Sequence, residues 1–97
     1  MRAPQDCRNM AELRTEIDAL DGRIIELLAR RVAYIDRAAE LKPAEGLPAR
    51  IDSRVEEVVQ RVRSRAETEG FDPVLAERIW RQLIDWSIAR EEQTLGR

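Results

Sequence analysis

Two cations stand where a helix should be apolar. Between Leu13 and Lys42 the apolar positions recur at steps of four and three, through Leu13, Ile17, Leu20, Ile24, Leu27 and Leu28, Ile35 and Ala38, and the same stripe carries Arg31 and Lys42. At 100° per residue those two fall within about 20° of each other, roughly 16 Å apart along the helix axis. Arg14 lies about 100° from Arg31, on the flank of the stripe. In a later segment Arg54 keeps step with Ile51, Val58 and Val62, and nearer the C-terminus Trp80, Ile84, Ser87 and Glu91 form a stripe whose last members are polar. A buried cation is costly unless it is paired. Several cations with a hydroxyl and a carboxyl group between aliphatic walls suit a small ligand that carries more than one carboxylate. In the competing reading the cations lay their stems on the core with their heads in water, and Ser87 and Glu91 are exposed at a fraying helix end.

The residue types limit the chemistry further. There is no histidine in the 97 residues, which removes the commonest general base, the serine and cysteine triads and the commonest zinc ligand. Chemistry must rest on Arg, Lys, Glu, Asp, Ser or Tyr. The single cysteine, Cys7, can make neither an internal disulfide nor a multi-cysteine metal site, and it fits a reducing cytoplasm. A formal net charge of -2 leaves no basic field for a nucleic-acid backbone, so no nucleic-acid partner is expected. The segment MRAPQDCRNM lacks the apolar core of a signal peptide, and no apolar run approaches the ~20 residues of a membrane span. A cytoplasmic protein is the expectation.

The elements that must position these residues are helical. Hydrophobic residues make up 43% of the chain, charged residues 37% and aromatic residues only 4%, a balance suited to amphipathic helices. Asn9 and Glu12 have the spacing of a capping box, and Pro43 disfavours helical geometry in the residue before it. The first helix therefore runs from near Asn9 to Lys42, through Gly22. At 1.5 Å per residue it is roughly 45 Å long, more than the ~32 Å diameter of a compact domain of this size. A helix that overshoots its own domain can bury its stripe only against another chain, which predicts an intertwined, two-fold dimer. The stretch PAEGLPAR reads as a loop. A second helix follows from Ile51 to near Gly70, a good C′ residue. Asp72-Pro73 then supplies an N-cap and a proline at N1 for a third helix, expected to fray after Glu92. The expectation is one all-α domain over residues 1–97, three helices per chain with a long first helix.

The first-helix pattern resembles the all-helical chorismate mutase family (type II). It carries Leu13-Arg14, Ile17-Asp18, Leu20-Asp21, Ile24-Ile25, Leu27-Leu28 and Arg31, with Lys42 eleven residues on. The resemblance implies an intertwined homodimer of three-helix chains. It also implies that Arg31, Lys42 and Arg54 of one chain, with Arg14 from the other, bind the two carboxylates and the ether oxygen of chorismate. Ser87 matches a position that contacts substrate. Glu91 falls where many members carry a glutamine that donates a hydrogen bond to the ether oxygen. An ionised carboxylate only accepts hydrogen bonds, so Glu91 in that role must be protonated, a form that burial favours, and activity should fall as pH rises. The implied reaction, the intramolecular Claisen rearrangement of chorismate to prephenate in aromatic amino-acid biosynthesis, needs no nucleophile, cofactor or metal. Lys42 and Glu91 would be the catalytic pair, and Arg14, Arg31, Arg54 and Ser87 the substrate-binding set.

One departure keeps a second reading open. Family mutases carry R-D-x-x-R-E around the second-helix arginine, whereas this chain has Arg50-Ile51-Asp52-Ser53-Arg54-Val55, with aliphatic residues at both acidic positions. In the mutases the missing glutamate contacts the ring hydroxyl. The related isochorismate-pyruvate lyases, which make salicylate and pyruvate for siderophore synthesis, also lack it. They share the Pro4-x-Asp6-Cys7 segment, the Arg30-Arg31 pair and Tyr34, while Ser87 and the stretch from Trp80 resemble the mutases. A third reading is a non-catalytic helical dimerisation module.

Overall fold

The computed structural model describes residues 1–96; Arg97, the last residue of the expected domain, lies outside the described residues. Among the described residues there are three α-helices and no strand: α1 (Met10–Leu41), α2 (Asp52–Glu69) and α3 (Pro73–Leu95), with short 3-10 turns at Pro4–Asp6 and Pro43–Glu45. The expected boundaries hold to within a residue or two, except at the end of α3.

Local chemistry sets most of these ends. Asn9 Oδ1 accepts from the Glu12 amide at 2.9 Å, while Glu12 Oε1 reaches one residue further back than a capping box requires and accepts from the Arg8 amide at 2.9 Å. Two orphan amides are satisfied either way. At the end of α2, Gly70 adopts φ 75°, and the Phe71 and Gly70 amides donate to the carbonyls of Ala66 (2.8 Å) and Glu67 (3.2 Å). That is a Schellman motif, and the left-handed φ is what calls for glycine. Asp72 then caps α3, its Oδ1 accepting from the Val74 amide at 2.9 Å. The expected fraying after Glu92 does not occur: α3 continues to Leu95, whose side chain packs against the core, and Gly96 closes it in the left-handed conformation.

The chain forms two compact units, Met1–Ala33 and Tyr34–Arg97. In the first, the N-terminal part of α1 has no buried residue in the single chain, and Ile17, Leu20, Ile24 and Leu27 of its stripe are each about half exposed. In the second, α2 and α3 pack as a hairpin around Ala49, Val55, Val59, Ile84 and Ile88, with Val58, Trp80 and Leu95 against them. Four charged residues clasp the hairpin: Arg81 makes a fork to Glu56 (3.1 and 3.2 Å) and a bond to Glu77 (2.7 Å), and Arg63 also reaches Glu77 (2.7 Å). α3 has a second apolar face, since Leu75, Ile79 and Trp86 are exposed in the single chain. No described helix is long and apolar enough to cross a membrane.

Candidate functional site

The second unit brings Lys42 and Glu91 together. Pro43 ends α1, and Gly46 at φ 68° turns the chain so that the Leu47 amide donates back to the Lys42 carbonyl at 3.0 Å. The loop then runs close enough for the Lys42 ammonium to donate to the Ala49 carbonyl at 2.7 Å. Lys42 Nζ also lies 2.7 Å from Glu91 Oε1, with the two side chains 17% and 5% exposed. The directed hydrogen bond goes to Ala49: Glu91 Oε1 is buried in ion-pair contact with the ammonium but receives no hydrogen bond of regular geometry. No residue-type pattern marks the Ala49 carbonyl, because a backbone acceptor is the same at every position.

Ser87 lies one turn before Glu91 on α3, buried like it, and its Oγ donates to the Leu83 carbonyl at 2.7 Å. Both residues sit well inside the helix, which removes the reading of an exposed, fraying end. Next to them the wall is apolar, because Val55, Val59, Ile84 and Ile88 form one cluster. Val55, at the position where family mutases carry glutamate, is therefore part of the core.

The arginines are placed differently. Arg54 is exposed at the start of α2 and pairs with Glu57 one turn on; its hydrogen bond holds Glu57 below the usual carboxylate range. Arg14 and Arg31 belong to the first unit, where Arg14 is exposed and Arg31 half-buried. A further arginine stands beside Glu91: Arg90 makes a fork to Asp36 of α1, Nε to Oδ1 at 2.6 Å and Nη2 to Oδ2 at 3.1 Å, and lies 5.5 Å from the centroid of the Trp86 ring. The fork holds the Asp36 carboxyl below the usual range. Among the described residues no group of three or more His, Cys, Asp or Glu side chains is arranged to hold a metal ion.

A half-buried ammonium beside a buried carboxyl, with a hydroxyl one turn away and an aliphatic wall, can hold and polarise an oxygen of a small anionic ligand. The chain is similar to several known proteins. It is 34% identical over 92 residues to the isochorismate pyruvate lyase of Pseudomonas aeruginosa, covering 94% of this chain and 89% of that protein. Against the chorismate mutase of Methanocaldococcus jannaschii it is 29% identical over 86 residues, covering 89% and 87%. The T-protein of Haemophilus influenzae matches at 33% over 84 residues, 87% of this chain but only 22% of that longer protein. The family model for chorismate mutase type II matches residues 13–92, a span that holds α2, most of α1 and α3 and the Lys42–Glu91 pair, and the chain belongs to that family.

Proposed function

We propose that the protein is a chorismate mutase that converts chorismate to prephenate. The observation that carries this reading is the Lys42–Glu91 pair, 2.7 Å apart, with Glu91 buried one turn from the buried Ser87. In the rearrangement the ether C–O bond breaks as the enolpyruvyl methylene carbon bonds to the ring, so atoms and electrons balance within one molecule. Catalysis consists of holding the side chain over the ring and stabilising the charge that grows on the ether oxygen. Lys42 is the donor to that oxygen, and Glu91, 2.7 Å from its ammonium, is the second catalytic group. Arg31, Arg54 and Ser87, with Arg14 from a second copy, bind the carboxylates and the ring. Arg54 must leave Glu57 to do so, which an exposed ion pair permits.

The second copy is a proposal supported by the half-exposed stripe of Ile17, Leu20, Ile24 and Leu27. Helices of globular chains cover such a stripe, and a two-fold dimer covers it with the same surface. A cytoplasmic location fits the single cysteine and the small-molecule substrate.

Isochorismate-pyruvate lyase activity is the second reading, favoured by Val55 in the core and by the 34% identity to a lyase. The deciding experiment incubates the purified chain with chorismate and, separately, isochorismate and times the products. Prephenate without salicylate is the expected result. Salicylate plus pyruvate as the faster product would make the chain a lyase, and inertness toward both would leave a helical dimerisation module.

A further inference from the structure

We infer that Asp36 and Arg90 are positioning residues that set Glu91 opposite Lys42. The inference rests on the catalytic reading of that pair and adds a role for two residues outside it. Its starting point is the 2.7 Å ion pair between Glu91 and Lys42. Oε1 receives no hydrogen bond of regular geometry, and the neighbouring ammonium is directed at the Ala49 carbonyl. Where the carboxyl sits therefore depends on the turn of α3 that carries it.

That turn is tied to α1 by the residue next in sequence. Arg90 and Glu91 leave α3 about 100° apart, so one can reach the flank of α1 while the other points inward. The two-bond fork from Arg90 to Asp36 fixes distance and rotation together, which a single-point contact does not. The Trp86 ring, one turn back on α3, holds the guanidinium a second time. Asp36 and Lys42 lie six residues apart, about 9 Å along the α1 axis. The α1–α3 register is thus set by two adjacent ties, one buried and one on the surface. The surface tie is 43% and 44% exposed at its two side chains, and ion pairs of that kind contribute little to stability. Its value lies in geometry, where a misplacement of about 1 Å can cost up to 100-fold in rate.

The test is steady-state kinetics on the full chain with chorismate, or with isochorismate if that is what the wild type turns over. Asp36→Ala should lower kcat about tenfold, leave KM within about twofold and barely move the melting temperature. The charge swap Asp36→Arg with Arg90→Asp should regain most of the lost kcat. In a Glu91→Ala background, Asp36→Ala should cost nothing further, because the residue acts through Glu91. A wild-type kcat for Asp36→Ala, or the same loss in the Glu91→Ala background, overturns the inference while leaving the enzyme reading intact. A wild type inert toward both substrates overturns the enzyme reading and this inference with it.

Discussion

At the scale of single residues, the Lys42–Glu91 pair has two separable consequences. Removing Lys42 takes a donor from the proposed oxyanion position, and loss of one such donor costs about 100- to 1000-fold in kcat. It also leaves Glu91, 4% exposed, without its cation, a loss of about 3 kcal/mol if the carboxylate stays charged. Lys42→Ala should therefore show both effects, and adding Glu91→Gln should restore part of the stability, read by chemical denaturation, without restoring activity. Glu91→Gln alone should stay active, because an amide can donate a hydrogen bond from the same position. A loss of kcat as large as that of Lys42→Ala would show that the carboxyl group itself is needed.

Among the elements, the α2–α3 hairpin contributes to the pH dependence of stability. Hydrogen bonds from Arg81 hold Glu56 below the usual carboxylate range, and hydrogen bonds from Arg81 and Arg63 do the same for Glu77. A carboxyl whose folded value lies below its unfolded one stabilises the fold above the unfolded value and loses that contribution as pH falls through the folded value. The melting temperature should hold from neutral pH to about 5 and fall below about 4.5. Arg81→Ala should start lower at neutral pH and fall less steeply on acidification. Equal slopes for wild type and variant would show that the clasp is not the group responsible.

For the whole molecule, the proposed dimer makes each site a joint property of two chains. Arg14→Ala and Lys42→Ala homodimers each lack a needed group in both sites. A mixed dimer has one site with Arg14 and Lys42 both intact. Random reassembly of equal amounts should make half the dimers mixed, each with one working site of two, and so recover about a quarter of wild-type activity. Recovery after co-refolding, with none before it, is the expected outcome. No recovery would place Arg14 and Lys42 of the same chain in one site, or Arg14 outside it.

What the sequence determined by itself is what local chemistry decides. Pro43, Gly70 and the Asp72-Pro73 pair act within a residue or two of where they stand, so the helix boundaries they mark are legible without a fold, and the family pattern on α1 is carried by side-chain types alone. The end of α3 was not legible: Leu95 prolongs the helix because it has a core to pack on. The same holds for the site. Arg31 and Lys42 could be flagged as cations on an apolar stripe, but only the packed hairpin shows Glu91 as the partner of Lys42, Ala49 as its acceptor and Val55 as part of the core. Asp36 and Arg90 are 54 residues apart and carry no motif. Contacts of that kind depend on which helix faces meet, and the meeting of faces is decided by burial summed over the hairpin, a quantity that no single position in the chain contains.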